Sequence, residues 1–367
     1  MTTSDAGGVL QAIEQAGQAI WLDSIKRSYL GEDNYLDRLI RAGEIYGLTS
    51  NPSIFAAAVA DDDTYDQQVS DLADQGADAA EILWTIMKAD VTAACDQFAE
   101  LYRSSDRLHG YVSIEVDPSK AFDTSGTVEQ ALQLWHEIDR PNLMVKVPGT
   151  APGLPAITQL ISQGVNVNVT LLFGVQRYRE VMDAYMSGLE QRLEAGGDLT
   201  HVASVASFFV SRVDAKVDPL LGEDDELRST IAIANARVAY AAFAEVTASG
   251  RWQHLVDEGA KAQRPLWAST STKDPSLPDT LYVDELLGPD TVNTVPEATL
   301  DAVRDHGGPP ADRLTGTGAQ AAQRLGQLEQ LGIDLDQVTK ELEAEGVEKF
   351  IASFEEAVQS VAEQISA

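Results

Sequence analysis

The stretch Val165-Asn166-Val167-Asn168-Val169-Thr170-Leu171 alternates apolar and polar residues without a break. Residues two apart in a β-strand share a face, so its valines lie on one face while Asn166, Asn168 and Thr170 lie on the other. In a β-barrel, one face of each strand packs against the surrounding helices and the other points into the interior. The stretch is therefore predicted to be a barrel strand with an inward row of amides and a hydroxyl.

The same alternation places charged residues on the inner faces of other predicted strands. Lys146 faces inward within Leu143–Val147, and Glu115 does so within Tyr111–Val116, while Asp23 ends an earlier apolar run. Each has an ordinary explanation, as an edge-strand charge for Lys146 or a strand-end acid for Glu115 and Asp23. Because burying unpaired charges is costly, their occurrence together on interior faces predicts a functional site.

Short apolar runs alternate along the chain with longer segments of helical periodicity. This order is typical of parallel strands joined by crossover helices. The chain is therefore predicted to be an α/β protein, a (β/α)₈ TIM barrel, with an open doubly wound sheet as the alternative. The predicted strands are Ala19–Asp23, Gly47–Asn51, Tyr111–Asp117, Leu143–Val147, Val165–Leu172, Val202–Phe209, Leu266–Ser271 and Thr291–Val295.

Helical segments flank the predicted barrel on both sides. Val9–Gln18 predicts an extra N-terminal helix, and residues 317–367 predict additional C-terminal helices packed on the barrel. Residues 1–367 are expected to form a single domain, because the chain shows no linker and barrels of this kind accept insertions. An apolar stripe in the last segment is predicted to pack on the barrel, with a partner-binding helix as the alternative. Its members are Val347, Phe350, Ile351, Phe354, Val358 and Val361.

Composition restricts the classes of partner. The formal net charge is −32, from 58 acidic and 26 basic residues, so a nucleic acid is expected to be repelled. We predict a solvated acidic surface, with adaptation to a salt-rich host as the alternative. The segment Met1–Gly8 resembles no signal peptide, no apolar run approaches a membrane span, and the single cysteine, Cys95, cannot form an internal disulfide. A cytoplasmic location without membrane partners is expected.

The inward lysine and its acids favour covalent chemistry. A lysine in an apolar site loses the hydration of its ammonium group, so its pKa falls and the free amine can attack a ketone to form an imine. A protonated imine accepts the electron pair of a breaking carbon–carbon bond. Glu115 and Asp23 lie on different strands and can divide the acid and base roles. The five histidines show no ligand spacing, so neither a metal nor another cofactor is expected.

Motifs around these residues follow one another along the chain. They are Gly47-Leu48-Thr49-Ser50-Asn51-Pro52-Ser53-Ile54-Phe55, Ser113-Ile114-Glu115-Val116-Asp117-Pro118, Met144-Val145-Lys146-Val147-Pro148-Gly149-Thr150, Asn166-Val167-Asn168-Val169-Thr170-Leu171-Leu172-Phe173, Ala206-Ser207-Phe208-Phe209-Val210-Ser211-Arg212-Val213-Asp214 and Trp267-Ala268-Ser269-Thr270-Ser271-Thr272-Lys273. In content and order they resemble the transaldolase family, from about Trp21 to the C-terminus. The added C-terminal length resembles its longer, stand-alone bacterial type.

The resemblance implies a role for each polar residue of the predicted site. Lys146 matches the Schiff-base lysine, and Asp23 matches the acid/base at the C4 hydroxyl of the substrate. Glu115 matches an acid that acts through a water held with Thr170. Lys273 stands where many members carry an arginine, and a lysine cannot make the bidentate contact of a guanidinium with a phosphate. The remaining implied binding residues are Asn51 and Asn168 at the donor hydroxyls, Ser207 and Phe209 in the wall of the site, and Arg212 at the phosphate.

The implied reaction transfers a dihydroxyacetone unit from sedoheptulose 7-phosphate or fructose 6-phosphate to glyceraldehyde 3-phosphate or erythrose 4-phosphate, in the non-oxidative pentose phosphate pathway. A Schiff-base aldolase that releases free dihydroxyacetone is the alternative, and Phe209 favours transfer because it has no hydroxyl to position a hydrolytic water. A non-catalytic adapter that binds through its acidic surface is a third hypothesis, against which the inward charges count. Monomer and homodimer both stay open.

Overall fold

Eight parallel strands close into a barrel in the computed structural model, which describes residues 8–366. Each strand pairs with the next along the chain, and the last strand pairs with the first, with Asn293 opposite Ile20. The predicted (β/α)₈ barrel is confirmed, and this closing pair excludes the open sheet. The strands are β1 (Gln18–Asp23), β2 (Gly47–Thr49), β3 (Tyr111–Glu115), β4 (Leu143–Pro148), β5 (Val167–Leu172), β6 (Ser204–Phe209), β7 (Arg264–Ala268) and β8 (Thr291–Val295).

β3 ends at Glu115 rather than Asp117, because the Asp117 side chain caps a turn of 3₁₀ helix that begins at Pro118. Two further strands end earlier than the apolar pattern predicted, because the residues that follow begin a turn or a helix. Asn51, predicted at the end of β2, instead caps the next helix with its side chain. β7 covers Arg264–Ala268 rather than Leu266–Ser271, because Ser269 has a φ of 55°, in the left-handed region. Both corrections move polar residues from a strand to the C-terminal mouth of the barrel.

Helices join successive strands and cover the outside of the barrel. The extra N-terminal helix ends at Gln15 rather than Gln18, because Gln18 begins β1 and donates a buried hydrogen bond to the Leu286 carbonyl at 2.7 Å. None of the helices within residues 8–366 has the length and apolar composition needed to cross a membrane. The α-helices are α1 (Gly8–Gln15), α2 (Tyr35–Arg41), α3 (Pro52–Asp61), α4 (Asp66–Asp74), α5 (Ala79–Ser104), α6 (Thr124–Ile138), α7 (Gly153–Ser162), α8 (Val175–Glu194), α9 (Ser211–Val217), α10 (Ile231–Thr247), α11 (Gly250–Asp257), α12 (Leu281–Glu285), α13 (Glu297–His306), α14 (Gly318–Gln330) and α15 (Leu335–Ser366).

The last helix, α15, lies against the C-terminal mouth of the barrel. Gly346 allows the close approach, because a Cβ atom at this position would lie only 3.0 Å from Leu171 Cδ2. One turn further along, the Phe350 ring lies 6.5 Å from the Phe209 ring of β6, centroid to centroid. Phe350 and Val361 of the apolar stripe are buried, so this face of α15 is turned towards the barrel.

Strand β5 carries a backbone irregularity beside its inward polar residues. Its pairing with β6 shifts register between Val169 and Leu172, and Leu171 has a φ of 63°. A left-handed conformation is unusual for a residue with a bulky side chain. The regular alternation predicted for this strand therefore ends at Thr170, whose side chain lines a cavity in the barrel mouth.

Candidate active site

A cavity of about 190 Å³ opens at the C-terminal mouth of the barrel. The C-terminal ends of barrel strands are where enzymes of this fold build their active sites. Glu115 and Asn168 are buried behind the cavity wall, in hydrogen-bond contact with residues that line it. The other predicted site residues all line the cavity: Asp23, Asn51, Lys146, Thr170, Ser207, Phe209, Arg212 and Lys273.

Lys146 occupies the middle of β4, with 5% of its surface exposed. Its Nζ donates to the Ser50 carbonyl at 3.1 Å and to Glu115 Oε2 at 3.5 Å. Nζ also lies 5.8 Å from the centroid of the Phe350 ring. Glu115 and Lys146 are register partners on neighbouring strands, so the barrel itself sets the distance between amine and acid. Such an amine is well placed for attack on a carbonyl group.

Glu115 is a buried carboxyl group that titrates near neutrality. Burial raises its pKa to about 7, although the neighbouring Lys146 cation opposes the rise. Glu115 Oε1 and Thr170 Oγ1 are both buried, and neither has a hydrogen-bond partner within residues 8–366. Buried polar atoms nearly always have a hydrogen-bond partner. Two buried oxygens without one therefore indicate a functional role for Glu115 and Thr170 rather than a purely structural role. The carboxyl can exchange a proton at physiological pH.

Asp23 ends β1 beside Thr49 at the end of β2. Thr49 Oγ1 donates to Asp23 Oδ1 at 2.6 Å and lies 2.6 Å from Thr294 Oγ1. Burial raises the pKa of the Asp23 carboxyl above its ordinary value, while the Lys146 charge and the Thr49 hydrogen bond lower it. Neither threonine was predicted as a site residue, although the alternation in β2 places Thr49 on the inner face.

Asn168 is held from two sides inside the barrel. Its Nδ2 donates to Ser113 Oγ at 3.0 Å, and its Oδ1 accepts a hydrogen bond from Ser207 Oγ at 2.7 Å. These two hydrogen bonds fix the orientation of the Asn168 amide. Asn51 lines the cavity as the N-cap residue of α3, so the start of a helix orients its amide.

Three cations line the same cavity. Arg212 lies in α9 directly after β6, Lys273 follows β7, and Lys349 belongs to α15. Burial lowers the pKa of Lys273, and the nearby Arg212 and Lys349 charges lower it further. Within the described part of the chain, none of the three forms an ion pair with a carboxylate. Unpaired cations close together in a protein of net charge −32 indicate a site for an anion.

The contribution of α15 to the cavity was not predicted. The period of its apolar stripe indicates that the helix packs on another element, but does not show that Lys349 and Phe350 reach the barrel mouth. A signal existed in Gly346, because a glycine inside a helix often marks a close approach to a neighbour. The other lining residues that the motifs did not mark for a role are Ser53, Ala268, Ser269, Thr270, Ser271, Pro296 and Ser353.

The fold and the site together fit a class of protein, the (β/α)₈ enzymes that use a lysine nucleophile. A buried amine, a neighbouring carboxyl group whose pKa is raised to about 7 and a second carboxyl group that lines the same cavity suit imine formation and carbon–carbon cleavage. Across residues 8–366, no group of three or more His, Cys, Asp or Glu side chains is arranged to hold a metal ion.

Comparison with known proteins gives the family. Residues 20–361 match the family model Transaldolase/Fructose-6-phosphate aldolase. Proteins named transaldolase from Thermobifida fusca and Saccharopolyspora erythraea are 50% and 51% identical, over 98% and 97% of this chain and 99% and 97% of their own length. Another, from Mycolicibacterium smegmatis, is 49% identical over 98% of both chains. The chain belongs to the transaldolase/fructose-6-phosphate aldolase family, which confirms the resemblance seen in its motifs, and the family's reaction proceeds through a lysine Schiff base.

Proposed function

We propose that this chain transfers a dihydroxyacetone unit between sugar phosphates, with Lys146 as the Schiff-base nucleophile, Glu115 as the proton donor and Asp23 as the base at the bond that breaks. The placement of Lys146 carries the proposal. It is a buried amine on β4, 3.5 Å from Glu115, in a cavity that Asp23 also lines. The family supports the reaction, and the geometry supports this division of roles.

The first stage forms the imine. Lys146 Nζ attacks the C2 carbonyl of fructose 6-phosphate or sedoheptulose 7-phosphate to give a carbinolamine. Glu115 supplies a proton to the departing hydroxyl group through a water held between Glu115 Oε1 and Thr170 Oγ1, and water leaves. The two buried oxygens support this relay, because neither has a hydrogen-bond partner within residues 8–366 and each can bind a water.

The second stage breaks the C3–C4 bond. Asp23 accepts the proton of the C4 hydroxyl group, and the electron pair of the bond passes into the protonated imine. An aldose phosphate leaves, and the three-carbon enamine stays on Lys146 until it adds to erythrose 4-phosphate or glyceraldehyde 3-phosphate. Hydrolysis of the new imine returns the amine. The Thr49 hydrogen bond to Asp23 Oδ1 fixes the carboxylate, which leaves its second oxygen available for the substrate.

Amides and a hydroxyl group are proposed to orient the donor sugar. Asn51 at the rim and Asn168 in the interior would bind its hydroxyl groups. Asn168 uses one N–H and one oxygen lone pair for serines, so its amide keeps one donor and one acceptor site for the sugar. Ser207 holds that amide in place while it also lines the cavity.

Aromatic enclosure of the intermediate favours transfer over release. Phe209 is 7% exposed and lies 5.1 Å from Phe173 and 6.5 Å from Phe350, centroid to centroid. Phe209 and Phe350 line the cavity, and neither ring has a hydroxyl group that could position a hydrolytic water next to the enamine. The intermediate is therefore proposed to wait for an acceptor aldose, which distinguishes a transaldolase from an aldolase.

Product analysis with and without an acceptor tests this function. With fructose 6-phosphate and erythrose 4-phosphate together, sedoheptulose 7-phosphate and glyceraldehyde 3-phosphate should form in equal amounts. With fructose 6-phosphate alone, turnover should stop once each active site holds one three-carbon unit. Steady release of free dihydroxyacetone at a similar rate would instead assign the aldolase reaction to this chain.

The substrate phosphate is proposed to bind Arg212, Lys273 and Lys349. A dianion approaching a protein of net charge −32 meets long-range repulsion. Salt screens that repulsion beyond a Debye length of about 8 Å at physiological ionic strength. The three cations act at contact distance inside a cavity, where screening is weak. Local attraction therefore exceeds the repulsion of the distant surface.

Removal of these cations should impair phosphorylated donors selectively. Lys349→Met and Arg212→Ala are each expected to raise KM for fructose 6-phosphate by about one to two orders of magnitude, because a hydrogen bond to a charged group contributes about 1.5–3 kcal/mol. KM for free dihydroxyacetone, which has no phosphate, should change far less. Steady-state kinetics with both donors provide the measurement. Lys340→Met, an exposed position on the same helix, is the matched control, and equal losses for both donors would contradict the assignment.

The rate of imine formation should depend on pH through Glu115. The protonated carboxyl group is the proton donor, and burial raises its pKa to about 7. The single-turnover rate of adduct formation should therefore fall as pH rises through about 7, by up to tenfold per pH unit where this step limits the rate. Glu115→Gln should remove that limb of the profile, because an amide does not titrate. A limb that persists unchanged in the variant would assign the pKa to another group.

The location and the oligomeric state of this chain are also proposals. The acidic chain and its sugar phosphate substrates fit the cytoplasmic location predicted from the sequence. A monomer and a homodimer are both consistent with a cavity whose lining, as described above, comes from a single chain. Sedimentation of the purified protein at several concentrations would distinguish the two assemblies.

A further inference from the structure

A second cavity, of about 370 Å³, opens at the other end of the barrel. Its lining includes Tyr111, Ser204 and Arg264, the first residues of β3, β6 and β7. It therefore lies at the N-terminal mouth, whereas the cavity with Lys146 lies at the C-terminal mouth. Residues at the N-terminal end of a barrel usually serve stability rather than catalysis, so the proposed reaction does not explain this cavity.

Three cations line the second cavity without carboxylate partners. Arg264 is 9% exposed, and its Nη2 donates to the Leu108 carbonyl at 2.8 Å. Lys261 Nζ donates to the Asp106 carbonyl at 2.6 Å, and Arg107 is half-buried beside them. Within residues 8–366, none of the three cations forms an ion pair with a carboxylate. Most of the five N–H donors of the Arg264 guanidinium are therefore available to a ligand.

Within residues 8–366, no carboxylate contacts these cations directly, although the charges of Asp106 and Asp290 act on Lys261 and Arg264 from a longer distance. Asp106 and Asp290 also line the cavity, but both are exposed and neither is ion-paired to its cations within the described residues. By contrast, the half-buried Arg27 pairs with Asp90 at 2.7 Å. A buried charge without a partner destabilises a fold. The buried position of Arg264 therefore indicates that an anion from solution binds to the three cations and balances their charge.

The backbone turns sharply at three residues that line the cavity. Asp106, Arg107 and Asp290 have φ values of 50°, 63° and 57°, and all three residues line the cavity. Left-handed conformations are uncommon for residues other than glycine, and strained residues of this kind cluster at ligand sites. Asp106 and Arg107 adopt them at the C-terminal end of α5, where the Arg107 N–H donates to the Tyr102 carbonyl at 2.8 Å and satisfies a terminal carbonyl of the helix. The cations, and not these turns, therefore indicate a ligand.

We propose that the cavity at the N-terminal mouth binds a small organic phosphate, at a site separate from the substrate. A phosphate monoester carries a charge of about −1.5 to −2 at pH 7, which three cations can balance. The guanidinium groups of Arg107 and Arg264 match phosphate oxygens in a bidentate geometry. Met144 and Val205 line the same cavity, and its volume exceeds that of a phosphate group, so the ligand carries an apolar or neutral organic part.

Calorimetric titration of the full-length protein with phenyl phosphate tests the proposal. Arg212→Ala weakens the proposed substrate site and isolates the second one, where one phenyl phosphate per chain should bind saturably. Adding Lys261→Met or Arg107→Asn should raise Kd by about ten- to a hundredfold, the range of a charge-assisted contact. Asparagine is used at position 107 because it tolerates a left-handed backbone. Arg192→Asn is the matched control, because Arg192 also donates to backbone carbonyls but lies outside the cavity.

The outcomes separate this site from the active site. In otherwise unaltered protein, Lys261→Met should leave kcat with saturating substrate unchanged. The proposal is overturned if phenyl phosphate does not bind saturably, or if neither variant changes its Kd. The cations would then serve only as hydrogen-bond donors to the backbone carbonyls that follow α5. Phenylacetate binding as tightly as phenyl phosphate overturns the choice of phosphate. If two sites persist after Arg212→Ala with the affinities of the wild-type protein, the second site stands and the role given to Arg212 in the substrate phosphate site is wrong.

Discussion

Lys146→Met is expected to lower kcat/KM for transfer by a factor of about 10⁴ or more, because loss of a covalent nucleophile removes the reaction path itself. Methionine keeps an unbranched side chain in the buried position. The variant should still fold, because Glu115, left without its cationic partner 3.5 Å away, can take up a proton: burial already raises its pKa to about 7. The measurement is borohydride trapping with fructose 6-phosphate, followed by peptide mass analysis.

The wild-type enzyme should gain one reduced three-carbon unit, at Lys146, and Lys146→Met should gain none. Lys216→Met is the matched control, since Lys216 is a surface lysine of α9 that pairs with Glu341 and Glu345 of α15. This variant should keep both the adduct and the activity. An adduct at Lys216, or an adduct that survives the loss of Lys146, would show that the nucleophile lies elsewhere.

Asp23→Asn and Glu115→Gln should stop the reaction at different stages, each with a loss of about 10²–10⁴-fold in turnover, the usual contribution of a general acid or base. Glu115→Gln removes the proton donor, so the imine should form slowly and little adduct should be trapped. Asp23→Asn spares imine formation and blocks carbon–carbon cleavage, so a six-carbon adduct should accumulate on Lys146 with fructose 6-phosphate. Asparagine can still accept the Thr49 hydrogen bond, which is 2.6 Å long in the native site.

Rapid mixing with borohydride quenching measures both variants, and the mass of the trapped adduct identifies the stage. Thr294→Ser serves as the control, because it keeps the hydroxyl group that lies 2.6 Å from Thr49 Oγ1. It should resemble the wild-type enzyme in both adduct and turnover. Equal adduct levels and equal turnover in the two acid variants would refute the division of roles.

The barrel itself could be predicted because each strand alternates faces independently of the rest of the chain. In β4 and β5 the pattern alone placed Lys146, Asn168 and Thr170 on the inner face, and the barrel brings all three to one site. Strand ends were less predictable, because they depend on local backbone conformations. β7 ends where Ser269 adopts a left-handed φ of 55°. A serine in the sequence does not predict this conformation.

The residues of the site that lie far in sequence from the predicted strands were not predicted. Lys349 and Phe350 reach the cavity because α15 passes close to Leu171, and that contact depends on the tertiary path of the helix. Periodicity within one helix reports only which face is apolar. The hydroxyl network of Thr49 and Thr294 also joins the two ends of the barrel sequence. Such contacts appear only when the barrel closes.

The three cations of the substrate cavity have a further consequence for the stability of the molecule. A phosphate held by Arg212, Lys273 and Lys349 ties α15 to α9 and to the loop that follows β7. Its binding free energy then also opposes local detachment of that helix, by about 2.7 kcal/mol at a ligand concentration of a hundred times Kd. Starved of sugar phosphates, the enzyme would expose this helix to proteases more often. Its lifetime would then follow the supply of its own substrate.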